Sequence, residues 1–232
     1  MCFHNSMSAK AKKLAARYNL KTDIVEIYKE ILEENYHVNA FTHPLYPIVT
    51  GDSELQAFHW GLVPFWVKSE EQAKEIENMT INAKADTLFE KPSFRHSIMS
   101  KRCIVPSTGF FEWRHEGKDK IPYFIHVKNE DIFSMAGIFD VWNNPQTGEI
   151  YHSFSIITSG ANSLMEYIHN TKKRMPVILS PEDEQRWIDP NLNKEGIKDL
   201  LKPFDADKMN AYIINKDFLR KNSKDKSIIE AA

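Results

Sequence analysis

The stretch between residues 102 and 158 leaves this chain few architectures. It runs through RCIV (102–105), a turn (106–109), FFEWR (110–114), a hairpin-like connection (115–118) and PYFIHV (122–127). DIFSMAGIFDV (131–141) and YHSFSIIT (151–158) follow, joined across 143–148. β-Branched and aromatic residues fill the runs, and Gly, Asn and Pro mark several of the joints. Strands spaced this closely pair with their neighbours, so the expected core is an antiparallel, partly closed, barrel-like sheet.

Helices are expected around it, giving an α+β class. Residues 7–19, MSAKAKKLAARYN, have high helix propensity and a weak apolar face, as a surface helix would. A second helix should start near Thr22 or Asp23, because Ile24, Ile27, Tyr28, Ile31 and Leu32 form one stripe. Residues 53–60 are loosely strand-like until Gly61 and Pro64 break the run, leaving Trp60 and Trp66 around a turn. Residues 68–79 predict a helix with Ala73 and Ile76 inward, and 161–168 a short one. Ser180 reads as an N-cap, with Pro181 at the first helical position and Glu182 and Asp183 in the first turn of a helix carrying Trp187. A last helix is expected over 193–201, and the charged end, 221–232, is expected to be a mobile tail. No linker or repeat divides the chain, so residues 1–232 are expected to form a single domain.

The formal net charge of -2 gives no global pull toward nucleic acid, so any such binding must rest on a local basic groove. With only Cys2 and Cys103 and no recognisable signal peptide, a disulfide framework is not expected, and a reducing, cytoplasmic setting is. No apolar run approaches the ~18 residues of a membrane span. Neither CxxC nor HExxH occurs, so no metal and no cofactor are expected.

Four residues suggest chemistry. Cys2 follows the initiator methionine, and removing Met1 would leave an amine and a thiol on one residue; a frayed terminus with an idle cysteine is the plain alternative. Such an aminothiol condenses with an aldehyde to a Schiff base, which the sulfur closes to a thiazolidine. The α-amine titrates at ~7.7–8.0 and the thiol at ~8.5, so part of each is nucleophilic near neutrality. Glu112 interrupts an apolar strand, where a carboxylate is either a buried acid or base or an edge-facing charge. Alternation places it opposite Phe111 and Trp113. Asn82, between Ile81 and Ala83, is either a turn cap or a holder of substrate or nucleophile. His169 precedes Lys172, Lys173 and Arg174, whose charge would depress its pKa and also suit phosphates; an idle histidine in a solvated basic loop is the plain alternative.

A set of ordered stretches accompanies these residues: WGLVP (60–64), INAKADT (81–87), KPSFR (91–95), RCIVP (102–106) continuing to GFFEW (109–113), KIPY (120–123), AGIFD (136–140), SIIT (155–158) with Ala161 and Asn162, Ile168 with His169, and RMPVIL (174–179). In them the chain resembles the SOS-response-associated peptidase (SRAP) family, whose members shield abasic sites in single-stranded DNA by covalent attachment through the N-terminal cysteine. The resemblance spans residues 2 to about 190 and implies Cys2 as nucleophile, with Asn82, Glu112 and His169 as the other active-site members. Trp66 and Thr158 match positions lining the family's DNA path. Three departures stand out. Cys2-Phe3-His4 replaces the usual Cys-Gly-Arg, Lys84 replaces an arginine, and four residues separate His169 from Arg174 where the family usually has one.

The implied reaction is capture of the ring-opened abasic aldehyde by Cys2, with Glu112 and His169 moving protons and Asn82 holding the adduct or amine. A monomer is expected, its partner abasic single-stranded DNA in a groove formed by Trp66, Lys84, Arg95, Lys172, Lys173 and Arg174. Two alternatives remain at this stage: a thiol peptidase using Cys2, and a noncovalent single-strand DNA-binding module.

Overall fold

The computed structural model describes residues 2–20, 33–51 and 55–232. The helix expected after Thr22 lies outside the described residues. In chain order the elements are β1 (His4–Met7), α1 (Ala11–Arg17), β2 (Asn35–Asn39), β3 (Leu45–Val49), β4 (Leu55–Trp60), α2 (Glu70–Met79), β5 (Asn82–Lys84), α3 (Ser97–Ser100), β6 (Arg102–Ser107) and β7 (Gly109–Glu116). Then come β8 (Asp119–Val127), β9 (Phe133–Asn143), β10 (Ile150–Gly160), α4 (Ser163–Ile168), β11 (Arg174–Pro176), β12 (Ile178–Leu179), α5 (Pro181–Ile188), α6 (Lys194–Leu200) and β13 (Met209–Ile213).

Five strands close on one another: β10 pairs with β4, β4 with β3, β3 with β6, β6 with β9, and β9 again with β10. This is the partly closed barrel of an α+β domain. A second sheet, ordered β13-β8-β7-β1-β2, is antiparallel throughout. The barrel is not purely antiparallel, because β4 and β5 both run parallel to β10, the first at Ser153 and Phe154 and the second from Ile156 to Thr158. The cause is the excursion through α2, which leaves β10 after β4 and returns to the same strand two residues further on. Gly61 begins that excursion at φ 128°, and a Cβ there would stand 2.8 Å from the Glu77 carbonyl oxygen. Only glycine fits without displacing backbone.

Several helices follow their sequence signals closely. Ser69 caps α2 by accepting from the Gln72 N–H, and Ala73 and Ile76 are its buried residues. Asn162 caps α4 through Met165 N–H, and Asn193 caps α6 through Gly196 N–H. Each such cap contributes about 1 kcal/mol. Ser180 stands at the N-cap of α5, but its hydroxyl bonds the Asp183 carboxylate at 3.0 Å. The helix expected over 7–19 is shorter than read: His4–Met7 is strand β1, and α1 buries Leu14 and Ala15.

The mobile tail expected over 221–232 is corrected. Ile228 is fully buried and the Ala232 N–H donates to the Ile213 carbonyl at 3.0 Å. Phe218, just ahead of it, stacks on Phe111 at 4.9 Å and on Trp113 at 5.8 Å. These apolar side chains cover the outer face of β7, which is why a charged segment stays docked; each contributes about 1.5–3 kcal/mol. β7 is thereby buried on both faces. Phe110 enters the main core with Cys2, and Phe111 enters the separate outer cluster with Phe218 and Ile228.

Candidate functional site

β1 carries the N-terminal segment into the molecule. Asn5 pairs with Phe110 and Ser6 with Gly109, and this register, continued outward, sets Cys2 level with Trp113. A buried network holds β1 there: Asn5 Nδ2 donates to Tyr46 Oη (2.7 Å), Tyr46 Oη donates to the Pro106 carbonyl (2.7 Å), and Ser107 Oγ donates to Asn5 Oδ1 (2.6 Å). A buried polar chain of this kind stabilises only when each member is satisfied. Cys2 itself is fully buried. Burial, reinforced by the charge of Glu112, pushes its thiol well above the ordinary value.

Asn82 reaches Cys2 from the other sheet. Its Nδ2 donates to the Cys2 carbonyl at 2.9 Å, so it is no turn cap. Its Oδ1 is buried and has no hydrogen-bond partner among the described residues. A buried acceptor left open costs about 1–3 kcal/mol, a cost a bound donor would remove.

Glu112 is 5 % exposed on the face of β7 opposite Phe111 and Trp113, as the alternation predicts, which disposes of the edge-facing alternative. Burial raises its carboxyl from the ordinary 4.5 to about 7, against the chain's amino-terminal charge and a backbone hydrogen bond from Trp113. His169, directly after α4, is equally buried, and its Nε2 lies 3.9 Å from Glu112 Oε2. Its Nδ1 is 3.0 Å from the Arg174 carbonyl and 3.4 Å from the Arg174 N–H, and the shorter contact favours the tautomer with the proton on Nδ1 and Nε2 as the acceptor. The depressed pKa expected for His169 is found, with a different cause. Burial leads and the amino-terminal charge follows, the Arg174 backbone opposes them, and of the three cationic side chains only the charge of Lys172 contributes, last.

Cys2, Asn82, Glu112 and His169 are thus brought together. The residues expected to line a DNA path are more scattered. Lys84, Arg95, Lys172 and Lys173 are exposed. Trp66 is half-buried in a separate cluster with Val63, Val67 and Trp142, its indole N–H donating to the Pro92 carbonyl at 3.3 Å. Thr158 is fully buried, so its side chain offers DNA no surface. It works from beneath: its carbonyl accepts from Arg174 Nη2 at 2.5 Å, while Arg174 Nη1 pairs with Asp86. His4 does not restore the charge of the family's usual arginine. Its Nδ1 lies 2.8 Å from Nε2 of His37, and burial lowers both imidazoles to about 4, so both are neutral near pH 7. Asp86, Asn5, Tyr46 and Asn170 carry parts of this arrangement that the sequence reading missed, because their roles rest on partners far away in the chain. Among the described residues no group of three or more His, Cys, Asp or Glu stands where it could hold a metal ion. Nor is any helix there long and apolar enough to cross a membrane.

The fold thus buries the Cys2 thiol beside the Asn82 amide and the Glu112 carboxyl, with the His169 imidazole next to Glu112. The family model described as SOS response associated peptidase (SRAP) matches residues 1–220, and the chain belongs to that family. It is similar to the abasic site processing protein YoqW of Bacillus subtilis (strain 168), 40% identical over 203 residues, 83% of this chain and 87% of that one. The abasic site processing protein HMCES of Xenopus tropicalis is 34% identical over 167 residues, 64% of this chain and 48% of that longer one. A crystal structure of a protein from Bacteroides thetaiotaomicron superimposes with a TM-score of 0.98 at 63% identity, covering 100% of both chains.

Proposed function

We propose that this protein is an abasic-site sensor that forms a thiazolidine crosslink between Cys2 and the aldehyde of an abasic site in single-stranded DNA. The observation that carries the reading is the grip of Asn82 on the Cys2 carbonyl within the buried group that also includes Glu112 and His169. With Met1 removed, the Cys2 amine adds to C1′ of the open sugar and water leaves. The thiol then adds across the C=N bond, sulfur to carbon and proton to nitrogen. The net change is loss of one water.

Glu112, with its carboxyl near 7, both takes and gives protons at neutral pH. To open the sugar by protonating the ring oxygen, His169 must first gain a proton at Nε2, and Glu112 is the nearby source. Asn82 Oδ1 accepts from the amine. Lys84, Arg95, Lys172, Lys173 and Arg174 hold phosphates, Thr158 holds Arg174, and Trp66 supplies an aromatic surface. A single copy of the chain supplies all these groups.

A denaturing gel tests the reading. Wild type incubated with abasic single-stranded DNA should give a band that survives heat and detergent. Cys2→Ser should lose it while keeping its affinity for undamaged single strands, since serine cannot close a stable sulfur ring. Equal crosslinking by the serine variant would overturn the aminothiol mechanism, and peptide turnover without a DNA adduct would favour the peptidase.

A further inference from the structure

The functional pair sits on two different elements, Glu112 on β7 and His169 after α4, and the 3.9 Å between them needs those elements fixed together. β7 is covered on one edge by β8 and on the other by β1. The cover by β1 gives out toward the end of β7, since the β1 register sets even Cys2 only level with Trp113. His115 lies beyond it, with its N–H and C=O needing partners.

Asn170 supplies both. Its Oδ1 accepts from the His115 N–H at 3.1 Å and its Nδ2 donates to the His115 carbonyl at 2.8 Å. A carboxamide bonding both groups of one residue imitates the pairing of a neighbouring strand. A second tie lies beside it: Arg114 donates from Nη1 to the Tyr167 carbonyl, and its guanidinium lies 3.9 Å from the Tyr167 ring centroid. The residues flanking Glu112 and His169 are therefore clasped together just outside the reacting pair. The loop that begins at Asn170 has Lys173 at φ 48°, and the Lys173 N–H returns to the His169 carbonyl at 2.9 Å. Asn170 is the residue of this extended loop that reaches back to β7.

We propose that Asn170 is a positioning residue, whose bidentate clasp on the His115 backbone sets His169 Nε2 against Glu112 for opening of the abasic sugar. This rests on the proposed crosslinking function and deepens it. Small displacements of a proton-transfer group cost about 10- to 100-fold in rate.

The experiment compares Asn170→Ala, Asn170→Asp and wild type on two single-stranded oligonucleotides, one with a natural abasic site and one with a permanently open-chain aldehyde. Asn170→Ala should crosslink the natural site about 10- to 100-fold more slowly and the open aldehyde at nearly the wild-type rate. Asn170→Asp, which keeps the bond from the His115 N–H, should fall between. Unchanged rates, or equal loss on both oligonucleotides, would overturn the proposal. A wild type that crosslinks neither DNA would instead sink the crosslinking function. The clasp is then tested by ring-nitrogen NMR of His169, whose depressed titration should move toward the ordinary histidine value in Asn170→Ala and stay in place if Asn170 does not position it.

Discussion

Glu112 shows how one residue ties function to stability. Strand alternation in the sequence put it on the face opposite Phe111 and Trp113, and the structure buries it there beside Cys2 and His169. Its carboxyl pKa is raised from 4.5 to about 7. The stability tied to its proton is therefore fully present below the ordinary value and is lost as pH rises through about 7. A shift of this size amounts to about 3 kcal/mol. Glu112→Gln never ionises, so between about pH 4 and pH 8 its unfolding free energy should gain on wild type by roughly that amount. Urea denaturation at the two pH values checks this, and parallel curves would mean that the carboxylate is solvated. On the proposed mechanism the same variant should crosslink slowly on both closed and open aldehydes, because Glu112 would move protons at the amine as well as supply His169. Cys2 was not legible from its position alone, which a frayed terminus explains as well; the ordered stretches that carry the family resemblance singled it out. Nor was Asn82, because a turn cap is the commoner fate of an asparagine in such a segment; the resemblance pointed the other way, and the approach of β5 to the N-terminal segment shows the amide on Cys2.

At the scale of elements, the sequence signals that held were local ones. Ala73 with Ile76 in α2, the short helices read over 161–168 and 193–201, and the strand runs between residues 102 and 158 all depend on near neighbours, whereas Ser180, read as an N-cap, turns its hydroxyl to Asp183 instead. What stayed hidden depends on distant partners. The parallel pairing of β5 with β10 leaves no mark in a three-residue strand. The docking of the chain end rests on Phe218 and Ile228, two apolar residues in a stretch whose charge reads as solvated. The loop from Asn170 to Lys173 mixes both cases, for Asn170 is committed to β7 while Lys172 and Lys173 point outward. Replacing both lysines by Ala should leave the clasp intact and weaken noncovalent binding to single-stranded DNA. If both touch phosphates, the slope of log affinity against log salt should flatten by about 1.4, at ~0.7 for each contact. Titrations at several salt concentrations measure it, and an unchanged slope would place this loop away from the DNA.

The whole molecule brings two sheets together so that each contributes to one buried site. The N-terminal sheet supplies Cys2 and Glu112, and the barrel supplies Asn82 and, after β10, the helix that ends at His169. The formal net charge of -2 tells nothing of this, because the four residues are assembled by burial and short-range contacts rather than by a global field. The central claim is that the mature N-terminus is Cys2 and that both its amine and its thiol end in the DNA adduct. Intact mass spectrometry of the purified covalent complex addresses it directly. The complex should have the mass of the chain without Met1 plus that of the abasic oligonucleotide minus one water, with the Cys2 thiol no longer open to alkylation. A complex that retains Met1, or whose Cys2 still alkylates, would contradict it.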